Sequence, residues 1–263
     1  MIVTSSREQG LARRRHLKLP TGFEYFKGEW LESGEGPGLS PTMFLVEQGP
    51  HSELAPHFHR ENEFQVVVQG RGQFGSHKVH AITVHYAGAY TGYGPVIASE
   101  EGLSYFTIRA VFEQGAVLLP QGRDQMVRGP KRQLHSVPCP PAQAAELAQR
   151  VAVETVELFP TQADAVAATR ILLPPGGHTQ APTPAGGSGQ FLMVIAGSIV
   201  HDGRPLTQWE TIFVSPDEAP LTLHAGAGGA EVLSMRLGEK APEYQGIATA
   251  GAPTALGVPS PVR

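Results

Sequence analysis

A single cysteine, Cys139, stands in 263 residues. That excludes an internal disulfide and a thiolate cluster, so any metal must be held by His, Glu, Asp or Gln. Charge of one sign is also missing: 20 Lys and Arg face 24 Asp and Glu, a net charge of −4. Without a basic excess, neither nucleic acid nor an anionic membrane is an expected partner. Long hydrophobic runs are absent, and the polar N-terminus carries Arg13-Arg14-Arg15 with no apolar stretch behind it. No signal peptide or spanning segment is therefore read, and a cytoplasmic protein is expected. Helix-forming stretches are scarce, whereas 31 Gly and 23 Pro exceed average usage and point to many short strands and turns.

Branched and aromatic runs mark those strands: Phe23 to Trp30, Thr42 to Val46, Glu63 to Gln69, Gln73 to Val79, Ile82 to Tyr86 and Leu103 to Phe112. Gly70-Arg71-Gly72 and Glu100-Glu101-Gly102 read as turns between them. After the break at Pro138 to Pro141, the alanine-rich stretch Ala142 to Val151 predicts a linker helix. A second series follows: Thr155 to Phe159, Ala165 to Leu173, Gln190 to Ile195, Thr211 to Val214, Leu221 to His224 and Glu231 to Leu237. The Gly/Ala/Pro-rich tail from Ala241 reads as loosely held.

The chemistry concentrates in Pro56-His57-Phe58-His59-Arg60-Glu61-Asn62-Glu63, followed by an apolar strand up to Gly70. Residues two apart on a strand share a face, so His57 and His59 can aim at one point. Glu63 can return to that point after a polar connection. Two imidazoles and a carboxylate make a first-row metal site with open positions. The competing reading of the same residues is a hydrogen-bonded polar cluster without metal.

This stretch resembles the first signature motif of the cupin superfamily, His-x-His, then Glu, then Gly after six intervening residues. With its flanking strands the resemblance spans residues 24–111. It implies an all-β chain of two antiparallel jelly-roll barrels, a bicupin. The expected organisation is an N-terminal arm (1–22), a metal-binding barrel (23–112), a linker with a helix (113–152), a degenerate second barrel (153–240) and a tail (241–263). In the second half His178 and Gln180 resemble a His-x-His lead-in, and Gln190 precedes Gly197 by the Glu63-to-Gly70 offset.

In metal-binding cupins the motif residues are ligands, which implies one divalent transition metal (Fe, Mn, Ni or Zn) on His57, His59 and Glu63. The second cupin motif carries a fourth histidine after a proline. Val84 to Val96 holds Gly and Pro but no such histidine. His85, His77 or Tyr93 could replace it, or three ligands leave the remaining positions open. Gln65 shares the strand face of Glu63 and is a substrate-contact candidate, as are Tyr86, Tyr93 and Arg109, the last as a carboxylate partner. The resemblance implies a metal-dependent enzyme acting on a small organic molecule, dioxygenase-like by preference. The alternative is a non-catalytic ligand-binding or sensing cupin. A homodimer is expected, with the arm before Phe23 as an exchange element.

Overall fold

The computed structural model describes residues 1–34 and 38–247. Its first half builds β1 (Ile2–Thr4), β2 (Arg15–Lys18), β3 (Glu24–Glu32), β4 (Thr42–Gln48), β5 (Glu53–Leu54), β6 (His57–Phe58), β7 (Glu63–Phe74), β8 (His77–His80), β9 (Thr83–Ala87), β10 (Val96–Arg109), β11 (Val117–Leu118) and β12 (Gln133–His135). The second builds β13 (Glu154–Phe159), β14 (Ala167–Leu173), β15 (His178–Gln180), β16 (Gly189–His201), β17 (Arg204–Leu206), β18 (Thr211–Val214) and β19 (Thr222–Leu237). Two short helices, α1 (Arg7–Ala12) and α2 (Ala144–Ala148), complete the main elements. None is long and apolar enough to cross a membrane.

Two antiparallel sheets dominate. The N-terminal sheet runs β12-β9-β7-β10-β4-β3-β2 and the C-terminal sheet β1-β18-β16-β19-β14-β13. Each sheet borrows one edge from elsewhere in the chain. β1 pairs with β18, so the N-terminal arm closes the far sheet of its own chain. β12, from the stretch expected to be linker, pairs with β9. Within the arm Ser6 caps α1 by accepting from the Gln9 N–H, a helix that the polar composition had not signalled. The expected helix after Pro141 shrinks to α2. Of the tail, Pro242–Tyr244 forms a 3-10 turn with Tyr244 buried; residues 248–263 lie outside the described residues.

The central strands are apolar on both faces, as strands covered on both sides must be. One face of each sheet enters a shared core: Phe64, Val66 and Val68 of β7 meet Phe191, Met193 and Ile195 of β16 there, with Leu233 and Met235 of β19. The opposite face of β16 joins Leu192 and Val194 to Ile212 and Val232 in a separate cluster. On the N-terminal sheet that opposite face is only partly apolar, with Val67, Tyr93 and Tyr105. The remaining positions on it carry the candidate site.

Both expected turns are instead parts of long bent strands. β7 runs through Gly70 to Gly72, and β10 through Glu100 to Gly102. Gly70 has φ +74°, and a Cβ there would lie 2.1 Å from the Gly102 carbonyl oxygen. The glycine marks an irregular ladder, where pairing shifts between Ala98 and Leu103, rather than a chain reversal.

Candidate functional site

β6 and β7 bring the motif residues to the opposite face of the N-terminal sheet. His57 is fixed by its backbone, which exchanges hydrogen bonds with Tyr93 at 3.0 and 2.9 Å. Its Nδ1 bonds the Ala55 carbonyl oxygen at 2.8 Å. That acceptor requires the proton on Nδ1, which leaves the Nε2 lone pair free. His59 Nδ1 lies 2.6 Å from Glu113 Oε2, while Glu113 Oε1 accepts from the Arg60 N–H at 2.7 Å. With Glu113 ionised, His59 also protonates at Nδ1 and turns its Nε2 lone pair inward. Arg109 Nη2 sits 3.0 Å from the same Nδ1. Two donors cannot bond each other, so we assign the bond to the shorter, charge-assisted carboxylate partner. The two imidazole rings stand 5.3 Å apart and nearly perpendicular, at 88°.

Glu63 is buried and fully engaged. Arg109 donates to its Oε2 twice, from Nε at 3.0 Å and from Nη2 at 2.6 Å. Tyr93 donates its hydroxyl proton to Oε1 at 2.7 Å. Gln65 Nε2 donates to the Tyr93 oxygen at 2.5 Å, and Gln65 Oε1 lies 2.6 Å from His85 Nδ1. One buried network thus runs from His59 through Glu113, Arg109, Glu63, Tyr93 and Gln65 to His85. His85 Nε2 is buried without a partner.

Burial sets the electrostatics. It pushes His57 down to about 4, against the Ala55 bond and with the Arg109 charge adding to the fall. His59 is lowered well below the ordinary histidine range by burial and then by Arg109. Both imidazoles are neutral near pH 7, the form that ligates metals. Burial raises Glu113, with Arg109 opposing. It works against the Arg109 charge, but Glu63 and Glu113 more than offset it and raise that group. Tyr93 is raised well above the ordinary phenol range by burial and by Glu63.

The residues singled out in the sequence fall into three sets. His57, His59, Glu63, Gln65, Tyr93, His85 and Arg109 share the network. Arg109 is buried, and its fork grips Glu63. Tyr86 does not belong: it is on the alternate face of β9, in the shared core, 5.3 Å from Phe64. His77 is exposed and stacks on His135 at 3.7 Å; His135 stacks on His85 at 4.4 Å. It is therefore two rings away from the residues around Glu63. Among the described residues no three His, Cys, Asp or Glu side chains form a ready-made metal-binding group. His59 Nε2 is 3.8 Å from Glu63 Oε2, the oxygen that Arg109 holds. Two surface clefts, about 410 and 230 Å³, are lined by other residues.

Glu113 and His135 are functional-site neighbours that the sequence reading missed. Glu113 lies beyond the end of β10, where strand alternation no longer says which way a side chain points. His135 lies in a proline-rich stretch whose three-residue strand has no period to detect.

No family model and no curated protein matches the chain. Solved structures do. A pirin from Escherichia coli in complex with nickel(II) superposes with a TM-score of 0.56 at 15% identity, covering 91% of this chain and 100% of that one. An oxalate decarboxylase variant from B. subtilis gives 0.53 at 14% identity, over 88% of this chain and 77% of its own. A putative dioxygenase from Nostoc punctiforme gives 0.52 at 10% identity, over 100% and 84%. These neighbours are cupin proteins, and at such identities the likeness establishes the architecture: this chain has the cupin fold that its His57-to-Gly70 motif resembles.

Proposed function

We propose that His57, His59 and Glu63 hold a divalent transition metal (Fe, Mn, Ni or Zn) in an N-terminal cupin barrel, that the second half is a metal-free cupin barrel, and that the protein is an enzyme of small organic molecules, dioxygenase-like by preference. The observation that carries this reading is the pair of buried imidazoles anchored through Nδ1, with both Nε2 lone pairs left free. A metal-binding histidine is held in this way, its other nitrogen on a carboxylate or backbone carbonyl. Charge agrees. With both carboxylates ionised, Glu63 and Glu113 against Arg109 leave the buried cluster with one excess negative charge, which a cation relieves.

A bound metal with two imidazoles and one carboxylate supplies open positions for a chelating substrate and dioxygen, or polarises a carbonyl. This chain's residues do the rest. Glu113 and Ala55 fix the tautomers of the two imidazoles. Tyr93, itself held by Gln65, orients Glu63. Arg109 offers the guanidinium that would face a substrate carboxylate. The neighbours lend support: a pirin solved with nickel(II), and an oxalate decarboxylase with Mn(II) centres.

A ligand-binding cupin without turnover is the second reading. It is favoured by Tyr93, which pairs with His57 in the stretch where the fourth histidine was sought. Metal analysis after exposure to Fe(II), Mn(II), Ni(II) or Zn(II), with an H57A/H59A double variant as control, tests the centre. We expect one metal per chain, lost in the double variant; a wild-type chain that takes up none of the four sinks it. A screen of chelating substrates under oxygen then separates the readings, since E63A abolishes turnover in an enzyme but only weakens ligand affinity in a binder.

A further inference from the structure

We propose that Arg109 is a latch on this centre: its guanidinium and the metal compete for one oxygen of Glu63, and a small carboxylate captured by the released guanidinium tightens metal binding. The inference rests on the metal reading above and adds a coupling between two ligands.

The competition follows from lone pairs. A carboxylate oxygen accepts about two hydrogen bonds in its plane. Arg109 Nε and Nη2 fill both at Glu63 Oε2. That oxygen is also the one 3.8 Å from His59 Nε2. The other oxygen, Oε1, already accepts from Tyr93. Oε1 keeps one lone pair, but Oε2 is the oxygen close to His59, so a cation shared by His59 and Glu63 competes with Arg109 for Oε2. The guanidinium cannot step aside by losing a proton, because arginine stays charged in proteins.

Displacement leaves Arg109 poorly matched. It is 2% exposed, so water does not replace Glu63. Its remaining carboxylate is Glu113, 3.5 Å from Nε, and Glu113 already serves His59 and the Arg60 N–H. A buried charge without a close partner is strongly unfavourable. A planar two-oxygen anion matches the free fork. Counting charges gives the same answer. With both carboxylates ionised the cluster carries one excess negative charge; a divalent metal alone turns this into one excess positive charge. A metal and a monocarboxylate together bring it to zero.

Chelator-treated protein titrated with Mn(II), read by calorimetry and by the EPR signal of free Mn(II), tests the latch with acetate as the probe. In the wild type, saturating acetate should tighten Mn(II) binding by about tenfold, within the usual range of coupling between sites. R109Q should bind Mn(II) more tightly than the wild type without acetate, and acetate should then have no effect. R109K keeps a buried charge and gives up the two-pronged grip. It should bind Mn(II) more tightly than the wild type with a smaller acetate effect, and it decides the matter should R109Q not fold. Mn(II) affinity unchanged or weaker in the folded variants, or untouched by acetate in the wild type, overturns the latch and leaves the metal centre standing. Absence of Mn(II) uptake in wild type and variants alike overturns the Mn(II) centre, and the latch with it.

Discussion

The two halves of this protein share a ladder and differ in what they put on it. Gly70 lies opposite Leu103 and Gly197 opposite Ala230, with pairing shifts at matching places in β7/β10 and β16/β19. Gly72 faces Ala98 as Ile199 faces Ala225. The faces turned to the shared core also correspond, Phe64 with Phe191 and Tyr86 with Phe213. The opposite faces diverge. Gln65 opposite His85 becomes Leu192 opposite Ile212, and Tyr105 becomes Val232. Glu63 becomes Gln190, which donates to Ser234 and the Pro182 carbonyl. Arg109 becomes Arg236, which donates to the carbonyls of Ala165 and Thr183 rather than to a carboxylate. A buried polar network costs more than an apolar core on the same backbone. That one half keeps the network while the other discards it marks the N-terminal face as the candidate site.

The sharpest way to break this comparison is to give each half the other's chemistry. E63L in the metal-free protein leaves Arg109 buried with Glu113 as its only carboxylate among the described residues, and should cost roughly 3–5 kcal/mol. Q190L removes two hydrogen bonds at 2.9 Å, yet the Gln190 Oε1 is already buried without a partner. Its cost should stay within about 1 kcal/mol. Urea midpoints of the two variants measure the contrast. Equal losses would show that Gln190 holds its half together as tightly as Glu63 does, and the functional asymmetry would lose its energetic basis.

Much of this contrast was legible in the sequence, and the illegible parts share a cause. His57, His59 and Glu63 could be read because period-two alternation assigns a face without knowledge of a partner strand. Gln65 followed from the same parity. Tyr86 was misread because parity within one strand does not say which face meets the second sheet; its neighbour His85 has the site face. Arg109 was singled out, but its grip on Glu63 depends on the register of β7 against β10, which no local pattern reveals. The second half misled by its loop. Leu54 pairs with Val96 and Thr179 with Leu223, so equal steps along the chain put Pro182, not His178 or Gln180, where His57 stands. His178 and Gln180 are exposed on β15. Gln190 was placed correctly because glycines at Gly70 and Gly197 anchor both strands at the same offset.

Those glycines offer a second test, on the part of the comparison that should be symmetric. Gly70 and Gly197 have φ of +74° and +70°, and a Cβ on either would lie 2.1 Å from a carbonyl oxygen, of Gly102 or Gly229. Left-handed backbone with a side chain, plus forced separation of two paired strands, should cost roughly 2–4 kcal/mol for G70A and a similar amount for G197A. Thermal denaturation of the two variants checks this. A large loss in one and a negligible loss in the other would mean that the matching ladders arise from different local forces.

The smallest expected effect lies in pH. Burial lowers His57 and His135 to about 4, with His77 adding to the fall at His135. His59 and His85 are lowered well below the ordinary range, again by burial first, then by Arg109 and His135 respectively. The unfolded chain binds a proton at each of these groups near pH 6.5, whereas the folded chain does so only near 4 at His57 and His135 and only well below the ordinary range at His59 and His85. Between those values the unfolded state holds more protons, so acidification through that window removes stability, and the loss levels off below the folded value. Glu113 works in the opposite sense, since burial raises it and the folded state takes its proton first. The bare slope therefore mixes both, and a variant isolates one term. His57, fully buried, should account for about 1 kcal/mol of the loss between about pH 7 and pH 5.5. H57Q, measured by urea denaturation in chelator, should lose that much less than the wild type over the same interval. Parallel slopes would show that the His57 ring takes up its proton without leaving the fold, and so that this face is wetter than its burial implies. The C-terminal half has Pro182 and Ile212 where His57 and His85 stand, so at those two positions it has nothing to titrate.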